Sequence, residues 1–452
     1  MSPFKVIIAG GGPVGLTAAH ALSQAGIDFL LLEGHHQVMA SVGSNLVLNP
    51  QGLRALSQLG LLDALCAVSD RLLPTRRIDH NARDIGTMHI FPIIQQQFGL
   101  GSCVISRHDL LKVLYEALPA DARAKILTSK KVATVTSLAD GVEVVCQDGT
   151  SYTGSIVIGA DGVHSMVRKS MRQLALAAGS SELNDEKPYL TTYRCLWLRF
   201  PKSLVPELEP GYTAEAHGVN ASSQLFLGQE TGVVAIYERL AQPTSERLAR
   251  TELDADAMAA RWEHMALIPG GSLTMKRAYQ NKIETGVVSL EEGVVQHWSW
   301  NGRIALVGDA AHKYTPSTGA GCNTGIVDIV SLANELVAAI TNARNSADDL
   351  DASPTQAALA EAFDNYQHAR YDNVVDGCNI SSRATALSTW GSGILKLVDR
   401  YVMSIPAVQR KIMAAGAGSV AKMPVFSFIP AEERFVGTVA WQTPMPQHLA
   451  MA

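Results

Sequence analysis

The chain has no C-x-x-C pair. Its six cysteines, Cys66, Cys103, Cys146, Cys195, Cys322 and Cys378, are scattered along 452 residues. That spacing argues against a zinc ribbon or a disulfide framework and suits a reducing compartment, expected to be the cytoplasm. Charge is sparse as well: 17% of residues are Asp, Glu, Lys or Arg, and the net charge is −5. The bulk charge therefore offers no reason to expect nucleic acid or an anionic membrane as a partner. No run of about 18 uncharged apolar residues occurs, so no membrane span is expected. The first apolar run opens at Val6, which leaves no space for a secretory leader. Internal repeats and long low-complexity tracts are also lacking. The apolar content of 47% is ordinary for a large packed core. The length admits two or three domains or one large composite one.

The most informative stretch is residues 5–33, KVIIAGGGPVGLTAAHALSQAGIDFLLLE. A short apolar run is followed by Gly10, Gly12 and Gly15 in the spacing G-x-G-x-x-G, then a helical period, then a second apolar run closed by Glu33. Gly10 permits a tight turn. Gly12 has no Cβ, so a pyrophosphate can approach the backbone. Gly15 lets the helix lie close to the sheet, and the helix N-terminus offers free N–H groups to the phosphates. Glu33 can accept hydrogen bonds from a ribose diol. This is a dinucleotide site, but the unit does not say which dinucleotide.

Residues 34–47 read as a loop near the ligand. Residues 49–65 have helical periodicity, with Pro50 in the first turn. Residues 104–118 read as a strand end and a helix that buries Leu110, Leu111, Val113, Leu114 and Leu118. Strands are expected at 132–137 and 142–146, joined by a turn at 147–150, and again at 155–160. From residue 188 the pattern changes to longer strands, at 191–200, 223–227 and 233–240, which suggests an inserted antiparallel sheet. A helix at 254–267, a buried strand at 301–308, a long helix at 324–340, an acidic loop at 346–354, a helical C-terminal region and an irregular tail at 424–446 complete the reading.

Two further motifs resolve the dinucleotide. Residues 159–168 read GADGVHSMVR, and residues 308–321 read GDAAHKYTPSTGAG before Cys322-Asn323-Thr324-Gly325. With residues 5–33 they resemble, in order, the three fingerprints of the single-component, group A FAD monooxygenases, the p-hydroxybenzoate hydroxylase-like group. Residues 290–334, with Ser223-Gln224 and the stretch IYERL at 236–240, look like the fungal secondary-metabolite branch, whose members epoxidise or hydroxylate indole-diterpenes, meroterpenoids and prenylated indole alkaloids.

The resemblance implies an α/β fold: a Rossmann-type, GR2-like FAD-binding domain, an inserted, mainly antiparallel substrate domain, and a helical C-terminal region. The expected segments are 1–75, 104–187 and 298–345 for FAD, 76–103 and 188–297 for substrate, and 346–452 for the C-terminal region. It implies bound FAD, transient NADPH or NADH, and a C4a-hydroperoxyflavin that passes oxygen from O2 to a bulky hydrophobic small molecule; a small phenolic or aromatic acid is the alternative substrate. Neither a nucleic-acid partner nor a membrane span is implied.

By motif, the cofactor residues would be Gly10, Gly12, Pro13, Val14, Gly15, Glu33, Arg107, Asp161, Asp309, Pro316, Gly319, Ala320, Gly321 and Asn323. Gly-Asp and Asp-Gly pairs are also turn-prone, so Asp161 and Asp309 carry a purely structural reading beside the functional one. The sequence departs from the family pattern at Gly34-His35, at Asn49-Pro50 and at Ala320, where glutamine is usual. A second nucleotide fingerprint is lacking, since Gly416-Ala417-Gly418 has no third glycine. The halogenase motif W-x-W-x-I-P does not match Trp298-Ser299-Trp300-Asn301.

On the strand expected at 191–200, alternation puts Thr192, Arg194, Leu196, Leu198 and Phe200 on one face. A cation on an otherwise apolar face needs a partner. Arg194 is expected either as a catalytic arginine beside the flavin or as an ion-paired strand residue. Tyr193 falls on the other face. His312 reads as structural.

Overall fold

The computed structural model describes residues 4–39 and 45–447. Residues 40–44 of the loop expected after Glu33 lie outside the described residues, as do the extreme ends of the first and last expected segments.

The apolar runs of the nucleotide half pair in parallel. Lys5–Ala9 lies between Asp28–Leu32 and Ile156–Gly159, and Ile304–Leu306 pairs with Ile156–Gly159. Ser299–Trp300 and Ile126–Leu127 form the edges of this six-stranded sheet. Its central strands are buried on both sides, which is why they read as continuous apolar runs without alternation. Pro13–Gln24 and Ala320–Ala347 pack against each other. By length and composition, Ala320–Ala347 is apolar enough to cross a membrane, but 67% of its most apolar window is buried inside the protein.

The second large sheet has eight strands, in the order His312–Lys313, Glu284–Val294, Leu190–Pro201, Thr231–Thr244, Ala221–Leu227, Thr213–Gly218, Thr75–Asp79 and Asp84–Met88. It is antiparallel except where Thr213–Gly218 meets Thr75–Asp79. One edge strand, His312–Lys313, directly follows the Gly308-Asp309 motif, so this sheet is tied covalently to the nucleotide half.

Its two faces differ. Leu196, Leu198, Phe200, Val234 and Ile236 point to one side, into a core with Met258, Met265, Leu267 and Met275. Tyr193, Cys195, Trp197, Ala235, Tyr237 and Leu290 point to the other. There the long helix Gln356–Ser388 contacts the sheet, through hydrogen bonds such as Tyr193 to Thr389 and Ser222 to Ser388.

Two expected helices shift. The helix expected at 254–267 is Ala255–Arg261. The apolar run that follows, Met265 to Ile268, is buried under the sheet and bridges back through Ala266 and Thr274. The long helix expected at 324–340 starts earlier, at Ala320, because Gly319 takes φ +62° and turns the chain directly into it.

Candidate functional site

The glycines of the first motif do distinct work. Gly10 takes φ +102°, and a Cβ there would meet the Ala160 carbonyl oxygen at 2.5 Å. A Cβ on Gly15 would lie 1.9 Å from the Gly10 carbonyl oxygen, so only glycine lets the helix start here. Gly12 is different. Its Cβ position is open, with the Arg107 guanidinium nearest at 3.9 Å. The helix Pro13–Gln24 has no side-chain cap and no acid in its first turn, so its leading N–H groups keep their partial positive charge. Pro13 is buried at the helix start, and Val14 packs between Gly308 and Gly325, locking the first motif onto the third. An open backbone cleft, uncapped N–H groups and a facing guanidinium fit a pyrophosphate.

Glu33 is buried at the end of Asp28–Leu32. It accepts from the Gly11 N–H at 2.6 Å and from the His35 N–H at 2.7 Å, which orients the carboxylate on the glycine turn.

The two carboxylate oxygens of Asp161 lie in different surroundings. One carboxylate oxygen holds the turn, accepting from Met166 N–H at 2.7 Å and Val167 N–H at 3.2 Å. The other is buried with no hydrogen-bond partner among the described residues. Burial pushes this carboxyl up in pKa.

Asp309 sits in a single turn, Gly308–Ala310, half-buried and ion-paired with Lys313 four residues on. Arg107, Asp309 and Lys313 are the charged groups near the half-buried Cys322 thiol. Arg107 and the last motif therefore converge on the first turn of Ala320–Ala347.

Pro316–Thr318 is one helical turn, and Gly319 follows it in the left-handed conformation. Ser317 bonds Thr385 at 2.6 Å and Thr318 bonds Ser381, which anchors the turn to the long helix Gln356–Ser388. Ala320 and Gly321, which precede the helix expected at 324–340, are its first residues. No side chain caps that helix, and the Gly321 Cβ position is open. Uncapped N–H groups beside open space fit a flat ring that gains negative charge.

Asn323 spends its side chain on the protein itself. Its carboxamide turns inward, donating to Val47 O at 2.7 Å and Gly319 O at 2.8 Å and accepting from Asn49 N–H at 2.8 Å. It locks the turn to its neighbours. His312 is also structural: it donates to Asp328 at 2.6 Å. Burial opposes the Asp328 charge, but His312, Arg370 and the Gly308 N–H outweigh it and keep this carboxyl below the usual range.

Of its two expected readings, Arg194 takes the ion-paired one. Alternation places it correctly with Leu196 and Leu198, but that face is the one under the helix Ala255–Arg261, away from Pro316–Thr318. Arg194 donates to Glu238 at 2.8 Å and to the Glu252 carbonyl at 2.5 Å, and Arg261 pairs with the same Glu238 at 2.7 Å. It is ion-paired and lies on the opposite face of the sheet from Gln224, which bonds Ser317.

The opposite face holds a buried polar network that sequence reasoning missed. Gln224 Nε2 donates to Ser317 O at 3.0 Å and to Glu215 at 2.8 Å, and Tyr237 donates to Gln224 Oε1 at 2.8 Å. His217 donates to Asp399 at 2.8 Å and to Glu215 at 3.0 Å. Arg77 donates to Asp399 at 2.6 Å, and Trp390 donates to Asp399 at 2.8 Å. Burial alone would lower the His217 pKa, but the Asp399 and Glu215 carboxylates raise it to about 9. Two cations and two carboxylates thus neutralise each other, one bridge away from Ser317 through Gln224. The available signal was Glu215-x-His217 on an interior strand, where charge is unexpected. A cleft of about 340 Å³ near Arg172 and Trp300 contains none of these residues.

Residues 3–185 and 247–362 match the family described as FAD binding domain. FAD-dependent monooxygenase DEP2 of Alternaria brassicicola is 31% identical over 452 residues, spanning 98% of this chain and 82% of that protein. Among solved structures, Klebsiella pneumoniae HpxO complexed with FAD and uric acid superposes with a TM-score of 0.67 at 20% identity, covering 92% of this chain and 96% of that one. A salicylate hydroxylase substrate complex gives 0.67 at 21%, covering 94% and 99%. At that identity the two structures speak for the fold, whereas the family match and the fungal relative speak for kinship. The chain belongs to the FAD binding domain family and is a flavoprotein monooxygenase of the group A, fungal secondary-metabolite type.

Proposed function

We propose that this monooxygenase uses NADPH or NADH and dioxygen to epoxidise or hydroxylate a bulky hydrophobic natural product, an indole alkaloid or a terpenoid. One observation carries the substrate class: the sheet face bonded to the flavin turn is built from Tyr193, Cys195, Trp197, Ala235, Tyr237 and Leu290. A small aromatic acid would need an uncompensated cation to hold its carboxylate. The two buried cations of that face, Arg77 and His217, are already neutralised by Asp399 and Glu215.

In this reading, segments 1–75, 104–187 and 298–345 hold FAD, and segments 76–103 and 188–297 present the substrate face. Gly10, Gly12 and Gly15, with Pro13 and Val14 behind them, open the helix N-terminus to the pyrophosphate, and Arg107 meets it from across the cleft. Glu33 takes the adenosine ribose. Asp161 offers its unpartnered oxygen, and Asp309 takes the ribityl chain with Lys313 as its counter-cation. Pro316, Gly319, Ala320 and Gly321 flank the ring and present N–H groups to it. Bound FAD, once reduced, would supply activated dioxygen. The protein's own work is to orient the apolar substrate and exclude water, so that oxygen is transferred and not lost as peroxide.

The test is NADPH oxidation by the purified yellow protein. An extract of indole or terpenoid metabolites should accelerate it and yield a product heavier by one oxygen. Acceleration by small aromatic acids alone would favour the alternative substrate class.

A further inference from the structure

The surface formed by residues 390–422 departs from the rest of the chain in two respects. The first is apolar. The helical run made of Gly393–Leu397 and Val398–Val402 exposes Ile394 at 75%, Leu397 at 59% and Tyr401 at 65%. These positions follow helical spacing, and exposed Ile405 and Ile412 extend the stripe. Single exposed apolar residues are ordinary; several large ones in register are not.

The second is charge. The segment carries Lys396, Arg400, Arg410, Lys411 and Lys422, and its only acid is Asp399. Asp399 is fully buried and paired with Arg77 and His217. Asp84, on the strand packed beside this run, is paired with Arg76. The outward charge is therefore positive, in a chain whose net charge is −5. Lys396 and Arg400 lie over the Trp390 ring, 4.9 and 5.8 Å from its centroid, which sets two cations beside an aromatic group at the border of the stripe.

We propose that this segment docks the enzyme on the surface of a bilayer containing anionic phospholipid. Ile394, Leu397 and Tyr401 enter the boundary between headgroups and acyl chains, and Arg410 and Lys411 meet the headgroups. A short basic amphipathic run lies in the interface plane and does not span it. The long apolar helix Ala320–Ala347 takes no part, because it belongs to the core. A second copy of this chain is a poorer occupant, since a symmetric contact would set one cationic segment against another. Docking also bears on the site. Asp399 lies between Leu397 and Tyr401 on the same run and holds Arg77 and His217, so the lipid face and the substrate face are two sides of one segment. The docking itself does not depend on which substrate is used.

Flotation of the full-length holoenzyme with phosphatidylcholine vesicles, with and without phosphatidylserine, tests this without any turnover measurement. Binding is expected only with phosphatidylserine present, and high salt should release it. Arg410→Gln with Lys411→Gln should weaken binding about thirtyfold. Ile394→Gln with Leu397→Gln should abolish it. Both variants should keep the flavin spectrum of the wild type, which separates lost docking from lost fold. No flotation with either vesicle, or flotation unaffected by both variants, overturns the proposal. So does a dimer that these substitutions dissociate in the absence of vesicle binding.

Discussion

Gln224 donates to the Ser317 carbonyl at 3.0 Å, across the junction between the eight-stranded sheet and the flavin turn. The other amide hydrogen goes to Glu215 and the amide oxygen accepts from Tyr237, so the carboxamide is fixed in one orientation. Replacing Gln224 with Ala should leave FAD bound but loosen the turn against the substrate face. Loss of such a bond is worth about 1 kcal/mol, or roughly a fivefold change. The expected result is a lower ratio of product to NADPH consumed, with the difference appearing as hydrogen peroxide. An unchanged ratio would show that the bridge does not position the turn.

His217 gives a pH signature. Its pKa in the folded protein is raised to about 9, above that of an unfolded histidine. The stability it contributes is therefore fully present below about pH 6.5 and fades as pH rises through about 9. The group is nearly inaccessible and tightly coupled, so the total is on the order of 3 kcal/mol. Thermal unfolding of the wild type should weaken across that window, and His217→Gln should lack that decline while being less stable at neutral pH. Parallel curves for the two proteins would contradict the assignment.

The glycines separate folding from cofactor binding. Gly12 is open, so Gly12→Val should fold but purify without yellow colour. A Cβ on Gly15 collides with backbone at 1.9 Å, and Gly15→Val should cost about 3 kcal/mol or more in stability. Thermal unfolding with and without added FAD distinguishes them: the first variant should lose the FAD-dependent increase, and the second should unfold early in both conditions.

Arg194→Met should lower stability by about 2 kcal/mol, because Glu238 keeps only Arg261 as its partner. Product formation per bound flavin should change little. Loss of product with unchanged stability would return Arg194 to the catalytic site.

These expectations also show what was legible in the residues. The parallel sheet, the glycine turn and the Gly308-Asp309 motif were readable because their signals are local: spacing, apolar runs and a few side chains of defined chemistry. The start of the long helix was misplaced by four residues, because nothing in the apolar period marks the turn that the left-handed Gly319 makes. Arg194 illustrates a deeper limit. Period-two alternation correctly grouped it with Leu196, Leu198 and Phe200, but alternation cannot tell which face of a sheet looks toward a cofactor. That is decided by which helices cover each side. The network was invisible for a similar reason. Arg77 and Asp399 are 322 residues apart, each in a segment without a motif, and only the parallel pairing of Thr75–Asp79 with Thr213–Gly218 sets Arg77 opposite Glu215, two residues from His217. Net charge is silent on distribution in the same manner: a whole-chain value of −5 does not show that residues 390–422 carry five cations and one acid.

The most direct measurement is oxygen incorporation. The holoenzyme is incubated with NADPH, a metabolite extract rich in indole alkaloids and terpenoids, and isotopically heavy dioxygen, and products are analysed by mass spectrometry. A hydrophobic product carrying a single heavy oxygen from the gas is expected. Label arriving from water instead, or NADPH consumption that yields only peroxide with every hydrophobic candidate while a small aromatic acid is hydroxylated, would contradict the substrate assignment.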